Sequence, residues 1–167
     1  VVTITLMPSP SYPFKDDHTI IRTSVIRQDG RRPEHVKVRA TVLSDDCARA
    51  KLNSDTDSKT TFIDVSLLSG KILENENFII KEKGKLLAPV EYCCVVSKEG
   101  DKRFTLEKSF EKKYRRGSLL LPVIHTHSDI RGEVVVHFRQ PSSKTFRVLL
   151  EFFEGNNLRF ENEIEIN

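Results

Sequence analysis

Alternation governs this chain. In His35-Val-Lys-Val-Arg-Ala-Thr-Val42, the residues Val36, Val38, Ala40 and Val42 fall on one side and His35, Lys37, Arg39 and Thr41 on the other. Successive side chains of an extended strand point to opposite faces, whereas a helix would scatter the same apolar set around its circumference. The segment therefore predicts a half-buried strand. Thr19–Arg27 is rich in β-branched residues, which favours strand, and ends at the turn signal Gln28-Asp29-Gly30. Thr60–Leu67 alternates again and stops near Ser69-Gly70.

The strongest hairpin signal is near the C-terminus. Lys144–Glu154 and Leu158–Ile166 flank Gly155-Asn156-Asn157, residues that accept positive φ and close short loops. Strict alternation puts Leu158, Phe160, Ile164 and Ile166 on one face, with Arg159, Glu161, Glu163 and Glu165 on the other. In the preceding strand Phe146, Val148, Leu150 and Phe152 share a face, while Leu149 and Phe153 oppose them, so that strand is expected to be covered on both sides. Further strands are expected at Val2–Met7, Phe78–Lys81, Leu86–Ser97, Arg103–Ser109, Ser118–His125 and Glu133–Arg139.

Two stretches depart from this pattern. Leu106, Phe110 and Tyr114 recur at four-residue spacing, so Phe104–Tyr114 reads either as a short helix or as a strand running into a basic loop. Asp45–Leu52 reads as a helical turn with Ser44 as its N-cap and two aspartates at its positive end. The expected fold is all-β: an antiparallel β-sandwich, immunoglobulin-like, of about nine to eleven strands with at most one or two short helices.

A chain of 167 residues is long enough for one well-cored domain, and residues 1–167 are read as a single sandwich. It begins Val1-Val2-Thr3 without an initiator Met, so a larger multidomain parent is expected. The longest apolar run, Leu119–Ile124, is far short of a membrane span, and no signal peptide is visible. The three cysteines, Cys47, Cys93 and Cys94, make a poor disulfide framework, and no asparagine lies in a glycosylation sequon. Both point to a reducing, intracellular setting, cytoplasmic or nuclear.

The most enzyme-like segment is Pro122–Phe138. His125, His127 and Asp129 would share one strand face, with Glu133 and His137 following. Jelly-roll metalloenzymes of the cupin family use a His-x-His pair with a downstream Glu and a later His. Here the glycine spacing is wrong and no histidine follows His137. Ser128-Asp129-Ile130-Arg131-Gly132 reads instead as a connection between strands, with the histidines facing solvent at a strand end. His125, His127 and His137 are thus weak candidates for a metal, and no cofactor is expected. Asp55-Thr-Asp57-Ser-Lys59 begins like a calcium loop but lacks its glycine and its closing glutamate. Asp45, Asp46, Asp55 and Asp57 could gather as calcium ligands at one end of a sandwich, but the simpler reading of these stretches is solvated loop rich in turn-forming residues. Cys93 and Cys94 would point to opposite faces of a strand, one of them buried, with no base nearby to make a nucleophile. No phosphate loop, dinucleotide fingerprint or nucleophile elbow is present.

Charge clustering is more suggestive. Arg103, Lys108, Lys112, Lys113, Arg115 and Arg116 crowd one stretch that begins near Lys98 and encloses Tyr114, and Arg27, Arg31, Arg32, Lys37 and Arg39 form a second basic cluster. Such surfaces attract an acidic protein, a nucleic acid or an anionic surface, although Glu99, Asp101, Glu107 and Glu111 neutralise about half of the first cluster, which also reads as a solvated loop. The net charge of only +3 argues against a dedicated nucleic-acid binder. The sequence therefore predicts a non-enzymatic interaction module with another protein as partner. The alternatives are an immunoglobulin-like nucleic-acid-binding domain using the basic loops of 98–116 and, further off, a cupin-like metal-dependent enzyme.

Overall fold

A computed structural model describes residues 2–7, 19–27, 34–85, 91–139 and 145–166. Among these the chain is all-β and antiparallel, with twelve strands and one short 3-10 turn at Asp45–Cys47. It divides into two compact units, Leu43–Val123 and the pair of segments Val1–Val42 and Ile124–Asn167.

The unit of residues 43–123 is a closed barrel. Its strands are β4 (Ala50–Leu52), β5 (Phe62–Leu67), β6 (Asn77–Lys81), β7 (Glu91–Glu99), β8 (Arg103–Leu106) and the first half of β9 (Leu119–His127). Around the barrel they run β9-β4-β5-β8-β7-β6 and return to β9. Closure rests on β9, whose Leu119 lies opposite both Lys51 of β4 and Lys81 of β6. Every neighbouring pair is antiparallel. The inward set is the alternating apolar one: Leu52, Ile63, Val65, Phe78, Ile80, Val95, Phe104, Leu106 and Leu120 are buried together. Ile79, Leu119, Leu121 and Val123 are buried in a second cluster with Ala48. The wall at β6 and β9 is therefore covered on both sides, which explains the unbroken apolar runs there.

The expectation of sandwich faces alone did not foresee this barrel. Asp45–Leu52 is not a helical turn throughout, because only Asp45–Cys47 winds and Ala50–Leu52 pairs as β4. Ser44 makes no side-chain cap hydrogen bond. Phe104–Tyr114 is the strand-and-loop alternative, with β8 ending at Leu106.

In the other unit, β1 (Val2–Met7), β2 (Thr19–Arg27) and β10 (Glu133–Phe138) form one sheet in the order β1-β2-β10. A second sheet carries β12 (Asn157–Ile166), β11 (Phe146–Glu154) and β3 (Lys37–Val42) in that order. The end of β9 joins it beside β3, where Ser128 N donates to Val36 O and His35 N to Ser128 O. Alternation is clean on β10, where Val134, Val136 and Phe138 are buried and Glu133, Val135 and His137 exposed. On β11, Phe146, Val148, Leu150 and Phe152 are buried, while Leu149 and Phe153 on the other face are half-buried. The strand is covered on both sides, as its sequence predicts.

The terminal hairpin turns at Gly155-Asn156, with Gly155 at φ 59°. Its register contains a bulge. Leu158 lies opposite Phe153 but Phe160 lies opposite Phe152, so Arg159 is an extra residue. Cross-strand partners share a face, so Leu158 goes with Phe153 and not, as strict alternation implied, with Phe160.

Candidate functional site

Antiparallel pairing all round the barrel puts the β4–β5, β6–β7 and β8–β9 connections at one end. The β8–β9 connection, residues 107–118, is the basic stretch singled out by sequence. Its backbone is tied down from several sides. The Glu91 carboxylate accepts from Glu111 N at 2.8 Å and from Lys112 N at 2.7 Å, and it also accepts the Tyr114 hydroxyl at 3.0 Å. Thr56 pairs with Tyr114 in both directions, its Oγ1 accepting Tyr114 N at 3.1 Å and its own N donating to Tyr114 O at 2.8 Å. Asp55 Oδ1 accepts from Arg116 N at 2.7 Å. Gly117, at φ 91°, donates to Leu52 O and turns the chain into β9.

The loop's own apolar residues hold it from below. Phe110 and Tyr114 are buried in the barrel core with their rings edge to face, 5.2 Å between centroids. That is the four-residue spacing visible in the sequence, used to plug a barrel and not to build a helix. Burial first, and then the Glu91 carboxylate, push the Tyr114 phenol well above its ordinary pKa, so the hydroxyl stays a donor. From its place inside the basic stretch, Tyr114 is expected among the partner-binding residues. At 7% exposure its ring does not reach the surface, and its part is to anchor the loop.

With backbone and aromatic residues fixed inward, the cations face out. Lys108, Lys112, Lys113, Arg115 and Arg116 are all exposed. Among the described residues no ion pair ties Lys113, Arg115 or Arg116. Several nearby acids are engaged elsewhere, Glu91 and Asp55 on backbone N–H groups, Asp57 on the N–H groups of Lys59 and Thr60, and Glu82 in an ion pair with Lys85, while Glu107 and Glu111 of the loop itself are exposed. Arg103 differs from the rest of its cluster. It lies on the barrel wall in an ion pair with Asp64 at 2.9 Å.

The second basic cluster is only partly in view. Arg31 and Arg32 lie outside the described residues, as does the side chain of Arg27. Lys37 is exposed on β3. Arg39 makes a two-pronged ion pair with Glu151 of β11, at 2.9 and 3.1 Å, and its guanidinium lies 5.1 Å from the centre of the Phe153 ring.

His125 and His127 are exposed on the last residues of β9, and His137 is exposed on β10. His127 packs near His35, with ring centroids 5.5 Å apart. Asp129 serves the turn, its Oδ1 accepting from the N–H groups of Arg131 and Glu133. Among the described residues, no three His, Cys, Asp or Glu side chains gather as a metal site. Asp45 pairs with Lys81 and accepts from Gly84 N, so the four loop aspartates do not converge either. The adjacent cysteines do point apart. Cys93 is buried in the barrel core, which pushes its thiol up to about 12, and Cys94 lies half-buried on the wall.

Three organising residues escaped the sequence reading. Glu91 is the loop's anchor. Glu151 is a buried acid that holds Arg39. Arg49 is buried and donates through Nε to Ser69 O at 2.9 Å and through Nη2 to Lys71 O, fastening the β5–β6 connection at the other end of the barrel. Each is a single charged residue amid ordinary neighbours, and its meaning lies wholly in distant partners. Comparison with protein-family models, with curated proteins and with solved structures found no match.

Proposed function

We propose that this chain is a non-enzymatic interaction module whose barrel offers the basic end formed by residues 107–118 to an acidic segment of a partner protein. One observation carries the reading. The loop's backbone and aromatic side chains are fixed by Glu91, Thr56, Asp55 and the barrel core, while Lys113, Arg115 and Arg116 stand exposed outside any ion pair among the described residues. A rigid loop with outward cations loses little entropy on binding. Its charge also steers an acidic partner to the site. The two sheets of residues 1–42 and 124–167, with their alternating buried faces, are what an immunoglobulin-like sandwich would need. The three free thiols suit an intracellular parent.

A protein partner is favoured over nucleic acid because the loop's aromatic residues, Phe110 and Tyr114, are withdrawn into the core. Single-stranded nucleic acid is held largely by bases stacking on exposed rings.

The test is fluorescence anisotropy with a labelled Glu/Asp-rich peptide and, separately, a labelled single-stranded oligonucleotide. The peptide is expected to bind the native protein. Lys113→Glu/Arg115→Glu/Arg116→Glu should weaken it by at least about tenfold, with the circular dichroism spectrum unchanged. Equal affinity of native and reversed proteins for the peptide would reject the loop as the site. Tighter binding of the oligonucleotide than of the peptide would overturn the choice of partner.

A further inference from the structure

On the sheet face made by β3, β11 and the end of β9 lies a cleft of about 390 Å³, lined by Lys37, Val38, Arg39, His125, Thr126, Phe153, Gly155 and Asn156. It belongs wholly to the unit of residues 1–42 and 124–167 and is independent of the barrel's loop end. It brings Lys37 and Arg39 of the second basic cluster together with His125, the first histidine of the His-x-His pair. We propose that this cleft binds a small organic phosphate that carries a flat apolar ring.

Charge comes first. Lys37, Arg39 and His125 line the cleft, and no carboxylate does. The acid closest to Arg39 is Glu151, which lies beneath it, 7% exposed, with both oxygens on the guanidinium. That pairing fixes Arg39 as a positioned cation and occupies the fork that a planar carboxylate ligand would want. The remaining polar side chains, the Lys37 ammonium, the His125 ring and the Asn156 amide, come from β3, β9 and the β11–β12 turn, and Thr126, whose side chain points to the opposite face from His125, contributes only its backbone. Donors from several elements suit a tetrahedral oxyanion better than a planar one.

The apolar part has a place as well. Phe153 is half-buried with the Arg39 guanidinium against its ring, so ring and cation together make a flat floor. A ligand ring can extend that stack. The volume is within the range of pockets that hold small molecules, roughly 300–1,000 Å³.

His125 is a reporter built into the site. Partial burial and then the Arg39 charge hold its pKa below the ordinary value. The titratable and charged groups around it are Lys37 and Arg39 on β3, His127 on its own strand, Glu151 on β11, and the Glu154–Arg159 pair in the hairpin. A bound phosphate would offset the cationic field and raise the His125 pKa.

The experiment is an NMR titration of the whole protein with phenyl phosphate, followed on the histidine rings. Saturable shifts at His125 and an upward move of its pKa are expected, with His137 on β10 as the unmoved control. Lys37→Glu, an exposed change that leaves Arg39 and Glu151 intact, should weaken binding by at least about tenfold. His125→Gln should fold and bind more weakly than the native protein. No saturable shift up to ~10 mM, or undiminished binding by K37E, would overturn the proposal. Two comparison ligands divide its halves. Inorganic phosphate binding as tightly as phenyl phosphate would overturn the ring, and phenol binding as tightly would overturn the anion.

Discussion

The barrel of residues 43–123 has no edge strand, because β9 pairs with both β4 and β6 and every strand in between has two neighbours. The other unit leaves edges. Among the described residues β12 pairs only with β11, and β1 only with β2. The two units thus treat the same hazard, unpaired backbone groups, in different ways. Closure removes the edge outright. An open edge is instead made unattractive by charge, and β12 carries Glu161, Glu163 and Glu165 along one face, with Arg147 bound to Glu163 across the hairpin. The consequence for packing is plain. Phe104 inside the barrel is wholly buried, whereas Phe160 on β12 is 37% exposed, though both are strand phenylalanines in an alternating run.

That contrast gives the largest expected effect. Phe104→Ala removes a ring from a closed interior that cannot collapse around the gap, and should cost about 3–5 kcal/mol. Phe160→Ala also removes an edge-to-face contact with Phe152, at 6.0 Å between centroids, but from a half-solvated site, and should cost under about 1.5 kcal/mol. Urea denaturation of the two variants measures both. Equal losses would break the distinction between closed and open units.

The local structure of both units is legible in the sequence, and their closure is not. Val134, Val136 and Phe138 announce a half-buried strand by alternation, and Gly155-Asn156 announces its hairpin. A barrel wall and a sandwich face, however, carry the same alternating pattern. What separates them is which distant strands meet, here Ala50 with Leu120 and Ile80 with Leu120. No local pattern encodes that pairing. It also depends on β4, only three residues long and preceded by aspartates that suit a helix start. The Arg159 bulge is hidden for a similar reason, since it shows only in the register against β11. As for the candidate loop, its cations are visible in the sequence but the inward turn of Tyr114 is not. That turn is imposed by Glu91 and Thr56, 23 and 58 residues away.

Ion pairs sharpen the comparison within a single sheet. Glu151 is buried beneath Arg39, so Arg39→Ala would leave a carboxylate without its partner and should cost on the order of 2–4 kcal/mol. The Arg147–Glu163 pair lies on the exposed hairpin, and Arg147→Ala should cost no more than about 0.5 kcal/mol. A double-mutant cycle at each pair would decide. A coupling as large at Arg147 as at Arg39 would mean that the β12 hairpin is more enclosed than its exposure indicates. In the barrel the matching test is Glu91→Ala, which releases two N–H groups and the Tyr114 hydroxyl. It should cost about 1–3 kcal/mol and speed hydrogen exchange at the amides of Glu111 and Lys112, while Tyr114→Phe should cost only about 1 kcal/mol. Unchanged exchange in Glu91→Ala would show that the aromatic plug alone holds the loop.

High pH compares the two sides of the barrel wall. Cys93 points inward, and its thiol is pushed up to about 12, by burial first and then by the charges of Cys94 and Glu91. Cys94 points outward, and its thiol is raised by burial and by Glu107. The sign follows from linkage. A thiol whose folded value lies above its unfolded one favours folding while it is protonated. Its contribution is therefore intact below pH 9 and is lost as pH climbs from 9 toward 12. At pH 10 the unfolded thiol is mostly ionised and the folded one is not, so Cys93 alone should reduce the folding equilibrium by about tenfold relative to pH 8. The Tyr114 phenol acts in the same direction, but only above its ordinary value of 10.0. Cys93→Ala should flatten the stability profile between pH 8 and 10, and Cys94→Ala should flatten it less. The reverse order, measured by urea denaturation across that window, would place Cys94 on the inside of the barrel and shift the register of β7 by one residue.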